Sequence, residues 1–292
     1  MLKESSFNTG AVNINFAEGP QSGPPLVLLH GFPGRWQEFL PILPTLCLRW
    51  HTYALDFRGQ GKSGRVPGQY QFMYNTFDVE QFLRQQVAEP TNFLGLSAGG
   101  ATALAVAAKC PELVKAVILG DSPIDLEATL PWMNSEEFKY WFSTLQQMAG
   151  ANLSITELSE RIADIPVHVP GQSTPIRYGD TAGMDAIHIQ QLAITICNLD
   201  PGVLEYHAEG RALELLEGFD LDQILGQIRC PVLLLQGDPA RGSMMTDQII
   251  KHVQSILPNV MHVLIEKDHN LGMDTWEVAP VLRAVIGFLE SV

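Results

Sequence analysis

Asn92-Phe93-Leu94-Gly95-Leu96-Ser97-Ala98-Gly99-Gly100 is the stretch that decides the fold: a short apolar run meets one serine and then a series of small residues. Asn92 to Leu96 is apolar enough for a buried strand, and Ala101-Thr102-Ala103-Leu104-Ala105-Val106-Ala107-Ala108 favours a helix packed closely on its neighbours. Ser97 stands at the join, with Gly95 and Gly99 two residues away on either side in a G-x-S-x-G spacing. A turn this tight strains the backbone of its central residue and leaves no room for side chains at the flanking positions. The serine hydroxyl is then raised above the sheet edge, beside the free amides and positive dipole end of the following helix. An ordinary glycine-rich strand-to-helix turn has the same local pattern, so the surrounding sequence must decide.

Upstream, Ala11 to Phe16 alternates like a half-buried strand, and Gly19 to Pro25 breaks the chain before the apolar Leu26-Val27-Leu28-Leu29. A continuous apolar run of this kind suits a strand covered on both faces. It ends in His30-Gly31-Phe32-Pro33-Gly34, a loop in which the backbone can approach a ligand and the Phe32 amide can face a developing negative oxygen. A plain turn capped by His30 fits the same residues. Trp36 to Trp50 is amphipathic but interrupted by Pro41 and Pro44, which predicts a broken or short helix.

His51 to Leu55 is the next expected strand, leading into Asp56-Phe57-Arg58-Gly59-Gln60-Gly61-Lys62-Ser63-Gly64. Gly61-Lys62-Ser63 resembles the end of a phosphate loop, but the required earlier glycine falls on Asp56, which excludes nucleotide binding by that motif. The segment is expected instead to be a structural turn tied together by Asp56, Arg58 and Ser63. Thr76 to Val87 reads as a helix ended by Glu89-Pro90.

Downstream, Val114 to Gly120 is a buried strand with Asp121 at its carboxyl end. Ligands of open parallel sheets bind outside those ends, so Asp121 shares a rim with Ser97. From Ile124 to about Leu225 the alternation of strand and helix stops. This segment is expected to be a mainly helical lid, with the aromatic residues Trp132, Phe138, Tyr140, Trp141 and Phe142 and a Pro/Gly-rich break from Pro166 to Gly179. Its histidines, His168, His188 and His207, have no ligand-like spacing. The alternation resumes with the strand Val232 to Gly237, a helix through about Ile256, the strand Val260 to Ile265, the loop carrying His269, and a closing amphipathic helix.

The fold class is therefore α/β: a mostly parallel sheet flanked by helices. Residues 1–123 and 226–292 form the expected core and residues 124–225 the inserted lid. With 292 residues the chain can bury one large core and still carry such an insertion. The net charge of -14 disfavours nucleic acid and anionic membrane surfaces as partners. Met1 to Gly10 has no apolar signal region and no run long enough to span a membrane occurs, which points to the cytoplasm. Cys47, Cys110, Cys197 and Cys230 lie far apart and are expected to be reduced and mostly buried, forming neither a disulfide framework nor a zinc site.

Ser97, Asp121 and His269 now stand on one rim in the order nucleophile, acid, histidine. Serine needs an imidazole to take its proton, and the imidazole needs an anion to fix its tautomer and stabilise its cation. Together with His30-Gly31-Phe32-Pro33, the D-x-R-G-x-G-x-S turn from Asp56 to Ser63, the elbow from Gly95 to Gly99 and Asp268-His269, this order resembles the α/β-hydrolase fold over nearly the whole chain. The resemblance implies an oxyanion hole from the amides of Phe32 and Ala98, and no metal or organic cofactor.

The acid departs from the commoner pattern of that family. The position three residues after the glycine that ends the strand beyond the lid is Ala240, which cannot ionise. Asp238 is nearby but displaced by two residues, whereas the segment Glu112 to Asp121 resembles the acid-bearing segment of haloalkane dehalogenases and zearalenone lactonases; Asp121 is the favoured acid. The expected function is a serine hydrolase acting on a carboxylic ester or lactone of a small, apolar substrate through an acyl-enzyme. Hydrolysis of a carbon–carbon bond, a lyase reaction, and a small-molecule receptor or scaffold on the same fold are the alternatives.

Overall fold

A computed structural model describes residues 2–169, 173–181 and 184–292. Its eight-stranded sheet has the order β1 (Lys3–Asn8), β2 (Asn13–Glu18), β4 (His51–Leu55), β3 (Pro25–Leu29), β5 (Thr91–Leu96), β6 (Val114–Gly120), β9 (Val232–Gln236) and β10 (Val260–Leu264). The pairs β1/β2 and β2/β4 are antiparallel and every later pair is parallel. The expected fold class, a mostly parallel sheet flanked by helices, is the one observed.

The apolar runs explain the layering. Alternate residues of a strand point to opposite faces, so Val27, Leu29, Phe93, Val117, Val232 and Leu234 join one core. Leu26, Leu28, Leu94, Ile118, Leu233 and Leu235 join the other. Because both faces are covered, the central strands are apolar throughout, as parallel strands are.

Two elements differ from the sequence-based expectation. The edge strand β1 escaped detection because its sequence, Lys-Glu-Ser-Ser-Phe-Asn, is polar and largely exposed; it is held by pairing with β2, by Phe7 edge-on to Phe82 at 5.5 Å and by Glu4, which accepts from the Trp36 indole at 2.7 Å. The helix expected from Thr76 begins earlier, at Phe72, spans Phe72–Phe82 and continues as a π turn over Leu83–Val87. Phe72 is drawn into the helix by packing edge-on against Phe219 at 5.1 Å, which overrides its weak helix propensity.

The turn after β4 is tied together in part as expected. Asp56 accepts the Trp36 amide (2.7 Å), the Lys62 amide (2.9 Å) and the Asn15 side-chain amide (2.8 Å), and Ser63 donates to the Asp56 carbonyl. Arg58 does not join this set: it forms a buried two-pronged pair with Asp78 at 2.7 and 2.8 Å, coupling the turn to the helix Phe72–Phe82.

Between residues 124 and 225 the chain is mainly helical. The helices Glu136–Ala149, Ile155–Ala163 and Ala186–Cys197 surround a third core containing Phe138, Phe142, Leu145, Ile162 and Ile196. A small antiparallel pair, β7 (Pro166–Val167) and β8 (Ile176–Arg177), lies within the expected Pro/Gly-rich break, part of which is outside the described residues.

All four cysteines are free, but only Cys110 is buried and Cys197 is exposed, so the expectation of mostly buried thiols fails. Cys197 ends the helix Ala186–Cys197 on its outer side. Among the described residues no helix is long and apolar enough to cross a membrane.

Candidate active site

Ser97 lies between β5 and the helix Ala98–Lys109, with φ 49 and ψ -122. That left-handed conformation is costly for a residue with a Cβ and holds only where the surroundings enforce it. The flanking glycines show the enforcement. A Cβ on Gly95 would lie 2.4 Å from the Gly100 nitrogen, one on Gly99 2.1 Å from the Leu29 carbonyl oxygen, and one on Gly100 1.8 Å from Ser122 Oγ. Gly99→Ala therefore drives a methyl group into backbone. A melting temperature about 5–10 °C below wild type is expected in a thermal melt, and a shift under ~1 °C would contradict the packing described.

His269 follows β10 in chain order and reaches the same rim. Its Nδ1–H donates to Asp121 Oδ2 at 2.7 Å, and Ser97 Oγ lies 3.1 Å from its Nε2. Because a carboxylate only accepts, Nδ1 carries the proton and Nε2 is left to accept from the serine hydroxyl.

Asp121 is fully buried at the end of β6, with φ 40, and its own amide donates to the Leu235 carbonyl at 2.7 Å. Oδ1 accepts from the Gly237 amide (2.9 Å) and the Ser243 hydroxyl; Oδ2 accepts from the Met244 amide (2.7 Å) as well as His269. Burial pushes the carboxyl pKa up, but the hydrogen bonds from His269, Ser243 and the two amides outweigh it and hold it below the ordinary carboxylate value. A depressed folded-state value contributes stability that is present above the ordinary carboxylate range and lost as pH falls through the folded value. The stability gap between wild type and Asp121→Asn should thus be widest near pH 7 and shrink below about pH 4. Denaturant titrations across that range check this, and a gap that widens in acid would contradict it.

Asp238 is not in this chain of contacts. Its carboxylate caps the turn Pro239–Arg241 by accepting the Ala240 amide at 2.9 Å, and it lies 3.4 Å from Arg241. Gly237, Ser243 and Met244 were not legible as site residues in the sequence. The signal available was the missing acid at Ala240: a loop that supplies no carboxylate there supplies donors to one arriving from β6.

The loop after β3 completes the rim. His30 is buried, accepts the Phe57 amide at Nε2 (3.1 Å) and donates from Nδ1 to the Gly31 carbonyl (2.7 Å), a structural role. A Cβ on Gly31 would sit 3.4 Å from Ser97 Cβ, so the loop backbone runs against the serine. Among the described residues no acceptor takes the Phe32 or Ala98 amide. Glu38 fixes the loop by accepting the Gly31 amide at 3.0 Å, and burial raises its carboxyl pKa. The Phe32 ring packs on His207 (4.6 Å) and Phe142 (5.9 Å). His207 is buried among these rings, which pushes its pKa down to about 3 and keeps it neutral.

Ser97 and His269 open into a cavity of about 370 Å³. Its other walls include Phe32, Arg35 and Glu38 from the core and Tyr178, Ile187 and Gln191 from the 124–225 segment. The aromatic residues Trp132, Phe138, Tyr140, Trp141 and Phe142 are not among its lining residues. Phe138 and Phe142 are buried in the third core, Trp132 and Tyr140 are exposed, and Trp141 packs on Tyr178 at 4.7 Å. His188, read as ordinary from its spacing, does line the cavity and lies 2.8 Å from Asp185 and 3.6 Å from Asp274. Among the described residues no group of three or more His, Cys, Asp or Glu side chains is placed to hold a metal ion.

This arrangement can move a proton from Ser97 to His269, hold the resulting imidazolium against Asp121, and offer two free amides to an oxyanion. Comparison with known proteins bears on the fold. The alpha/beta hydrolase fold family matches residues 24–158. The 2-(acetamidomethylene)succinate hydrolase of Mesorhizobium japonicum is 23% identical over 287 residues, 97% of this chain and 93% of that protein. A serine hydrolase-like protein of Danio rerio is 32% identical over 106 residues, a match that spans 36% of this chain and only 32% of that protein. Among solved structures, N-formylmaleamic acid deformylase from Pseudomonas putida S16 superposes with a TM-score of 0.73 at 16% identity, covering 97% of this chain and 100% of that one. A thermophilic esterase from Thermogutta terrifontis gives 0.72 at 20% identity, over 99% and 98%. By its sheet order and by the architecture it shares with these structures, the chain has the α/β-hydrolase fold, and residues 24–158 match that family's model.

Proposed function

We propose that the protein is a serine hydrolase that cleaves a carboxylic ester or lactone of a small substrate through an acyl-enzyme. The observation that carries this reading is the continuous chain Ser97 Oγ, His269 Nε2, His269 Nδ1 and Asp121 Oδ2, with contacts of 3.1 and 2.7 Å. Ser97 attacks the carbonyl carbon while its proton passes to His269. The oxyanion is received by the Phe32 and Ala98 amides, and the tetrahedral intermediate collapses as His269 protonates the departing alkoxide. Water repeats the sequence on the acyl-enzyme: His269 takes its proton, the hydroxide adds to the carbonyl, and Ser97 leaves with the proton returned. The segment 124–225 acts as a lid, supplying Tyr178, Ile187 and Gln191 to the cavity wall.

Hydrolysis of an acyl C–N bond is the second reading, favoured by the alignment with 2-(acetamidomethylene)succinate hydrolase along almost the whole chain. The same residues would protonate a departing nitrogen instead of an oxygen. A panel of short-chain aryl esters, γ- and δ-lactones and N-acyl compounds, assayed with wild type and Ser97→Ala, separates the two. Faster turnover of esters or lactones supports the first; turnover confined to the N-acyl compounds replaces it with the second.

A further inference from the structure

We propose that Arg35 is an anion subsite of the Ser97 cavity and that the substrate carries a free carboxylate besides the carbonyl that Ser97 attacks. The proposal rests on the cavity being the acyl-transfer site.

Arg35 follows the loop that carries Phe32 and lines the same cavity as Ser97 and His269. It is half-buried, and its guanidinium donates to the neutral side-chain oxygen of Gln191, across the cavity on the helix Ala186–Cys197. Among the described residues no carboxylate lies within 4 Å of it. The other arginines without such a partner, Arg65, Arg161, Arg229 and Arg283, are all exposed, so water solvates them. Arg58, the fully buried arginine, has Asp78. A partly desolvated guanidinium with no contacting counter-charge is unfavourable unless an anion arrives to meet it.

Other charges nearby do not fill that role. Asp56 and Glu38 act on Arg35 only through space, and each is engaged elsewhere: Asp56 by Trp36, Lys62 and Asn15, Glu38 by the Gly31 amide. Asp274, on the facing wall, accepts from Asn270 and lies 3.6 Å from His188. Burial drives the Arg35 pKa down somewhat, consistent with a guanidinium short of solvent and counter-charge, though it stays protonated at any ordinary pH.

Arg35 is the only arginine or lysine among the described cavity-lining residues. A single planar carboxylate matches one guanidinium fork, whereas a doubly charged phosphate monoester would leave charge facing Glu38 and Asp274. The substrate class is thus a half-ester, or the corresponding carboxylate-bearing acyl compound, of a short dicarboxylic acid.

The test compares monomethyl succinate with methyl 4-methylpentanoate, in which an isopropyl group of similar size replaces the carboxylate, by proton release with wild type, Arg35→Gln and Arg35→Lys. Wild type should favour the charged ester in kcat/KM. Arg35→Gln should lower the charged-to-neutral ratio about 10- to 100-fold, mainly through KM, the size expected for one charge-assisted hydrogen bond, with Arg35→Lys in between. A wild-type preference for the neutral ester, or a ratio unchanged within threefold in Arg35→Gln, would overturn the proposal. Calorimetric binding of both compounds to Ser97→Ala reads the subsite without turnover: tighter binding of monomethyl succinate that disappears in Ser97→Ala/Arg35→Gln supports it, and equal binding overturns it. Covalent labelling of Ser97 by a fluorophosphonate reports on the acyl-transfer reading separately, so failure of one idea is distinguishable from failure of the other.

Discussion

Ser97→Ala should lower kcat by a factor of about 10⁴ to 10⁶ for every substrate the protein turns over, with KM and melting temperature near the wild-type values. The size follows from what the hydroxyl does. Without Oγ no covalent bond to the acyl carbon forms, and the free amides of Phe32 and Ala98 can only assist attack by water. The fold is spared because, among the described residues, the hydrogen bond that the hydroxyl makes is the one to His269 at 3.1 Å. Ser97 and His269 also act as a unit, so the double variant Ser97→Ala/His269→Ala should be scarcely slower than either single variant. Steady-state assays on the three proteins check this. Multiplying losses in the double variant would mean that the two side chains contribute independently, against the proposed mechanism.

Asp121→Asn is the second large effect, a fall in kcat of about 10³ to 10⁴, while Asp238→Asn stays within about twofold of wild type. Asp121 accepts four hydrogen bonds, two at each carboxylate oxygen. An asparagine offers only one acceptor oxygen. If that oxygen keeps the Gly237 and Ser243 donors, the new NH₂ group faces His269 Nδ1 and forces the imidazole to place its proton on Nε2. Nε2 then cannot accept from Ser97. Asp238 has no comparable link, since its carboxylate caps the Ala240 turn. Loss of turnover in Asp238→Asn with retention in Asp121→Asn would reassign the acid.

Much of this architecture was legible because it rests on short-range rules. Continuous apolar runs marked the buried parallel strands, and Ser97 and Asp121, each the residue just past one of them, had to share a rim, which the loop after the edge strand β10 reaches with His269. The steric need for glycine at 95 and 99 could likewise be read directly, and its physical origin is the neighbouring backbone, which a Cβ at either position would strike. What escaped were features set by tertiary contact. β1 is polar and is recruited by pairing with β2, by Phe7 on Phe82 and by Glu4 on Trp36. The aromatic residues from Trp132 to Phe142 carry no mark that tells core from cavity; the turns of the chain alone sent Phe138 inward and brought Tyr178 to the wall. Arg35 and Glu38 follow the oxyanion loop as ordinary surface residue types, and only the approach of Gln191 and the Gly31 amide gives them a place in the site.

In the proposed mechanism Ser97 is a nucleophile activated by His269, which Asp121 orients. Its most direct test is the reaction of the purified protein with a fluorophosphonate, followed by peptide mapping. Stoichiometric labelling is expected at Ser97, absent in Ser97→Ala and slowed at least about 10³-fold in His269→Ala. Labelling at another residue, or a rate in His269→Ala equal to that of wild type, would contradict it.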